Sequence, residues 1–286
     1  MQYNLLYAAD KDGNIIHISN AQRGAMCECF CPSCGDALIA RQGSEVKYHF
    51  AHSNNKNCTN GYLASVCCAI KQKIDQLGYI CLPAYTMNRT IIDEGSGLHV
   101  IIPESKIVID KVDLIKKSGN ITGIMVYYKS KPLIINILTT YSTSRSRADA
   151  RTRQIGIPVV EIDLSREEDI DDKLISMLIN GQSDLIYWVY NQKAEGIWEK
   201  MSAKCSKLTV AGNDNAIYTM GCPIPKMRTD GIYCYIKTKC ARCAYFFGLY
   251  GFDEERYILC SRQSVITEPA DLKLNLIERK KKYGIK

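Results

Sequence analysis

Cys31-Pro32-Ser33-Cys34-Gly35, then Ala40-Arg41-Gln42-Gly43, then His49-Phe50-Ala51-His52 with Cys58 behind it, is the stretch on which the reading of this chain turns. Cys31 and Cys34 form a CxxC pair, and a tight turn helped by Pro32 and Gly35 aims two thiolates at one ion. A short sheet-like run then returns two imidazoles, His49 and His52. Zinc takes four such ligands tetrahedrally, so the segment is expected to fold as a hairpin around one structural zinc ion. Cys58 is a fifth candidate for four places, and spacing does not choose among His49, His52 and Cys58. Phe50 is expected to pack beneath the hairpin, and Cys27 and Cys29 read as bystanders. Two of only four histidines fall in this window, which favours ligands over scattered surface side chains.

Working outward, 286 residues of which 46% are hydrophobic describe globular protein with a sizeable core and roughly two domains. There is no apolar run of about eighteen residues, and the start Met1-Gln2-Tyr3-Asn4-Leu5-Leu6-Tyr7 lacks the charged-then-apolar layout of a signal peptide. The expectation is a cytoplasmic protein with no membrane partner. In a reducing compartment, fourteen cysteines argue for metal ligands at clusters such as Cys31/Cys34 and Cys240/Cys243. Cys67, Cys68, Cys81 and Cys205 read as small core residues or free thiols. A net charge of +7 and a pI near 8.6 suit a polyanionic partner without requiring one.

Residues 3–20 alternate around Asp12-Gly13 as a hairpin would. Tyr62 to Leu77 has helical apolar spacing and stops at Gly78. Short β-rich runs follow at 107–114, 121–128, 133–140 and 159–162, the first three as a meander. An Arg-rich helix over 142–155 precedes the last run, and a crossover of that length makes the strands on either side of it parallel. Ser165 to Glu168 reads as a capping box that opens a helix to about residue 180. The C-terminal third is cysteine-rich: Cys222, Cys240, Cys243 and Cys260, with Cys234 as a substitute, are expected to hold a second zinc. A basic tail, Arg279-Lys280-Lys281-Lys282, ends the chain.

The string CPxCG, a small-Arg-x-Gly step, HFAH and a trailing cysteine resemble the N-terminal zinc module of the CoiA-like competence family. That resemblance implies a nuclease domain of the PD(D/E)xK type and a role in handling DNA. The fold class it implies is α/β: a zinc hairpin (1–60), a restriction-endonuclease-like mixed sheet with flanking helices (61–182) and a Cys-rich C-terminal module (183–286). The order of elements follows the family over about residues 1–165. A phage or mobile element is one expected setting.

Such a nuclease site needs an acid on one strand, a second acid on the next and a lysine two residues beyond it, with Mg²⁺ or Mn²⁺ held between water and phosphate. Asp113 fits the first place. Asn136 stands where the second acid is expected and Leu138 where the lysine is, with Glu161 and Asp110 as replacement acids. The catalytic set is therefore Asp113, Asn136 and Glu161, with the motif incomplete. Arg145, Arg147, Arg151 and Arg153 fall where the family places residues that could touch DNA. The leading expectation is a DNA-binding nuclease-family protein with a weakened site. Its rival is a non-catalytic nucleic-acid-binding or assembly subunit that keeps the fold, and a zinc-stabilised adaptor comes third.

Overall fold

The computed structural model describes residues 4–54, 56, 58–87, 99–140, 153–213, 216–251 and 255–285. The chain forms two compact units, Met1–Pro83 with Glu104–Gln192, and Ala84–Pro103 with Lys193–Lys286.

The first unit begins with a five-stranded antiparallel sheet in the order β2-β1-β3-β4-β5, made of β1 (Tyr7–Ala9), β2 (Ile15–His17), β3 (Gly24–Phe30), β4 (Ala37–Arg41) and β5 (His49–His52). The expected hairpin forms: the Asp10 carboxylate accepts the N–H groups of Asp12 and Asn14 and so closes the turn between β1 and β2. Helix α1 (Gly61–Leu77) runs as its periodicity predicts and ends on Gly78, at φ 69°. Ala64, Val66, Cys67, Ile70 and Ile74 are fully buried along one stripe. Gln72 of α1 bonds both the N–H and the carbonyl of Ile15, which ties the first hairpin to the helix.

After β6 (Tyr79–Leu82) the chain makes β7 (Tyr85–Met87) and β8 (His99–Ile102) of the second unit. It returns as β9 (Ser105–Val108), which pairs with β6. A second five-stranded sheet follows, in the order β10 (Lys111–Lys117), β11 (Asn120–Tyr128), β12 (Lys131–Leu138), β13 (Val159–Asp163) and β14 (Ile186–Tyr190). β10 to β12 are the expected antiparallel meander, and β12 and β13 are parallel. Side chains alternate across a strand, so Val112, Ile124, Val126, Leu133, Ile135, Ile137, Val160 and Ile162 share one face. All are buried, in the same apolar cluster as α1 and the N-terminal sheet. Each such side chain contributes roughly 1.5–3 kcal/mol. The opposite face carries Asp113, Met125, Asn136 and Leu138, all half-buried, and the buried Glu161.

Two sequence expectations fail here for local reasons. The run 107–114 is not one strand: the chain breaks at Ile109 and Asp110, whose N–H groups bond Gly78 and Tyr127, and its halves join different sheets. Ser165 opens no helix either, because its hydroxyl and N–H both go to Asp163. Helix α2 (Asp172–Ile179) is instead capped by Asp171, which accepts the Leu174 N–H. The Arg-rich segment lies mostly outside the described residues, which show one helical turn at 153–155.

The second unit contains β7 paired with β8, helix α3 (Gln192–Ser202) and a three-stranded sheet of β15 (Ser206–Thr209), β18 (Phe246–Tyr250) and β19 (Tyr257–Cys260). A two-stranded ribbon of β16 (Tyr218–Thr219) and β17 (Cys234–Tyr235) and the terminal helix α4 (Leu276–Lys282) complete it. Trp198 stacks on Phe247 at 5.1 Å, with His99 beside both rings. The basic tail is the helix α4: Arg279 is buried and donates to the Asn275 and Ser264 carbonyls, while Lys282 pairs with Glu268 and the fully buried Asp271. Among the described residues no helix is long and apolar enough to cross a membrane.

Candidate metal centre and sheet face

The N-terminal centre is built from three places in the chain. The Cys31 carbonyl accepts the Gly35 N–H and so closes the CxxC turn between β3 and β4. His52 ends β5, and Cys58 precedes α1. One ligand atom from each of Cys31, Cys34, His52 and Cys58 lies within 4.8 Å of all the others. The Cys31 and Cys58 sulfurs are 4.0 Å apart, and Cys34 Sγ is 3.3 Å from His52 Nε2. Ligands on a tetrahedral zinc with 2.3 Å Zn–S bonds stand about 3.8 Å apart. The Cys31–Cys58 and Cys34–His52 separations bracket that spacing, so the residues present fit a zinc ion.

His49 is the correction. In β5 it lies three residues before His52, an odd separation that puts the two imidazoles on opposite faces of the strand. His52 is buried among the thiols, whereas His49 Nδ1 turns to the Lys47 carbonyl at 2.8 Å. Cys58 takes the fourth place. Phe50, on the same face as His52, is buried as expected. Cys27 and Cys29 stand aside, their thiols directed at the Leu38 and Cys27 carbonyls.

Burial pushes the Cys31 thiol up to about 12, while the N–H groups of Cys34 and Ser33 pull the other way by favouring the thiolate. Two features that motif spacing did not single out adjoin the centre. Gly61, the first residue of α1, brings the helix N-terminus against it, and a side chain there would meet Leu5 at 3.3 Å, Cys58 Sγ at 3.4 Å and Cys31 Sγ at 3.6 Å. Lys56 pairs with Asp36 at 3.0 Å on the rim.

The sequence-chosen catalytic residues share a face without forming one cluster. Asn136 is paired with Glu161 across the parallel strands, and Glu161 accepts the Tyr187 hydroxyl. Asp113 is not their neighbour: β11 lies between β10 and β12, and Asp113 pairs with Lys111 at 2.6 Å. The β11 residue beside Asn136 is Gly123, whose added Cβ would come within 3.1 Å of the Ile135 carbonyl oxygen and 3.8 Å of Asn136 Oδ1. Asp110 holds a turn by accepting the Ser130 N–H. Arg145, Arg147 and Arg151 lie outside the described residues, and Arg153 is exposed.

In the second unit, Cys222, Cys234, Cys240, Cys243 and Cys260 line one cavity. Cys234, the substitute of the sequence reading, is fully buried with its sulfur 3.4 Å from that of Cys240. The contact with Cys240 holds the Cys234 thiol below its ordinary range, and the same contact raises Cys240.

Residues 16–61 match the family model described as Competence protein CoiA, N-terminal domain. The matched span contains all four residues of the first centre and ends on Gly61. Over that stretch the chain is similar to the CoiA N-terminal domain. No curated protein and no solved structure matches the chain.

Proposed function

We propose that this is a CoiA-like DNA-binding protein of DNA processing, with a structural zinc in its N-terminal domain and a nuclease-type site too degenerate for efficient cleavage. The observation that carries the reading is the CoiA N-terminal domain sharing one apolar core with a mixed sheet in which a meander leads to a parallel fourth strand. Three antiparallel strands, a helical crossover and a parallel strand is the order expected of a PD(D/E)xK core. On the half-buried face of that sheet, Asp113 stands in the first acid's place, whereas Asn136 and Leu138 stand where the second acid and the lysine would be needed. Glu161 and Asp163 on the neighbouring strand are engaged by Tyr187 and Ser165. With no second carboxylate beside Asp113, a Mg²⁺ or Mn²⁺ ion would lack most of its charge balance there. Removing one electrostatic element of this kind typically costs about 10²–10³ in rate.

The test is the full chain with single- and double-stranded DNA, with and without Mg²⁺ or Mn²⁺. Binding that weakens with salt and little or no cleavage are expected. Arg147→Ala with Arg151→Ala should lower the slope of log K against log salt by about 0.9 per lost duplex contact. Absence of DNA binding at low salt would remove the reading. Robust metal-dependent cleavage abolished by Asp113→Ala would restore an active nuclease. The same sheet face also favours the rival reading, a non-catalytic nucleic-acid-binding or assembly subunit, which predicts retained binding with no cleavage under any metal.

A further inference from the structure

The cavity between the β16–β17 ribbon and the β15-β19-β18 sheet has an unusual lining: five thiols, a threonine and apolar side chains. No carboxylate, amide, lysine or arginine is among them. Such a wall would not hold a hard cation or a polar organic ligand, but thiolates select soft or borderline metals. The thiols also stand where a core should be. Cys222, Cys234 and Cys240 belong to the small buried cluster of this region with Val210, Ile217, Ile236, Phe246 and Ile258. Small apolar clusters rarely hold a fold unaided, and a structural metal is a common remedy.

We infer that Cys222, Cys234, Cys240 and Cys243 form a second structural zinc site, a tetrathiolate, with Cys260 outside the ligand set. Cys234 is the pivot, because it is fully buried and its sulfur lies 3.4 Å from that of Cys240. Cys240 and Cys243 flank a 3-10 turn closed by the Cys243 N–H on the Cys240 carbonyl at 2.8 Å, the bend a CxxC pair needs to face one ion. Cys222 enters from the loop between β16 and the turn at Pro225–Met227. The sulfurs are not yet gathered as tightly as in the first centre, so closing the site requires small shifts. Three of the four stand on loops or a turn and the fourth on a two-residue strand. Cys260 is different: it is paired on both sides, with Ser206 of β15 and Phe246 of β18, and the sheet fixes it in place. Binding would release the thiol protons to solvent.

The experiment is zinc analysis of the full chain purified without chelator. Two zinc ions per chain are expected, falling to one in Cys234→Ser and staying at two in Cys260→Ser. One zinc in the parent protein, unchanged by Cys234→Ser, would overturn the site. Loss in Cys260→Ser would overturn the ligand set, whatever Cys234→Ser does. Should Cys234→Ser fail to fold, the metal-stripped parent is titrated with Co²⁺. Two equivalents with strong thiolate-to-metal absorption are expected, and saturation at one overturns the site. The count is made without DNA, so its failure and that of the DNA-binding reading are separately visible.

Discussion

The two cysteine clusters place the same side chains in opposite surroundings. Around Cys31, Cys34, His52 and Cys58 the chain is already held by apolar packing: Tyr7, Phe50, Ile70 and Ile74 are buried to below 2% exposure in a cluster that runs on into the α/β sheet. A metal there would pin the 31–36 turn, His52 and Cys58 to the start of α1. Around Cys234 the thiols are themselves part of the core, beside only a few branched and aromatic side chains. Metal binding at both would fasten loops onto an existing fold in one unit and stand in for missing apolar volume in the other. Clasps at the periphery support the second unit, chiefly Asp271, which accepts the N–H groups of Thr267 and Glu268 and the Tyr283 hydroxyl and pairs with Lys282.

The largest expected effect breaks the comparison most directly. Structural zinc sites have apparent binding energies of about 10–16 kcal/mol. Chelating the metal should therefore strip amide-exchange protection from β16, β17 and the turn at 240–243 while leaving β10 to β13 protected. Equal loss in both units would mean that the first unit also depends on its metal for its core. Next in size is the ligand set of the first centre. Cys58→Ser should lose the N-terminal zinc, whereas His49→Ala should keep it; zinc analysis of the pair decides between the two residues. A smaller change tests the apolar half of the comparison. Ile135→Ala, at a fully buried position of the sheet, should cost about 2–5 kcal/mol in denaturant unfolding of the first unit. A cost well under that range would show the core to be looser than its burial implies.

The smallest effect concerns the clasp. Burial works against the charge on Asp271, yet Lys282, the Thr267 and Glu268 N–H groups and the Tyr283 hydroxyl hold its carboxyl below the ordinary carboxylate range. The unfolded chain then takes up the proton more readily than the folded one. Stability from this group is complete above the ordinary carboxylate range and is lost as pH falls through the lower folded value. Thermal melts from neutral to acid pH should show that decline, and Asp271→Asn should lower stability at neutral pH and flatten it. An unchanged pH profile in that variant would assign the acid sensitivity elsewhere.

What was legible in the chain follows from how local each signal is. Helix α1 could be read because its apolar stripe, its stop at Gly78 and its length all lie within one segment. The three-strand meander and the parallel strand could be read because turn residues and crossover length constrain them. Ser165 misled because a capping-box pattern does not say whether a nearby acid, here Asp163, will claim the hydroxyl first. The run 107–114 misled because β-rich character carries no mark of which sheet each half joins.

Sequence alone brings the Cys31 and Cys34 thiols together, since a CxxC turn is closed by its own backbone, and it carries the likeness to the CoiA N-terminal domain over residues 16–61. It also contained a neglected rule, that two histidines three apart on a strand point to opposite sides. The tertiary structure alone decided that His52 and Cys58, and not His49, complete the centre. Cys58 reaches it only because α1, anchored on the sheet by residues far along the chain, starts with Gly61 against the two thiols. It also decided that Asp113 and Asn136 are separated by β11, and that Cys234 lies among the other cysteines of the second unit. Sheet order and long-range packing set those distances, and no spacing within a single segment encodes them.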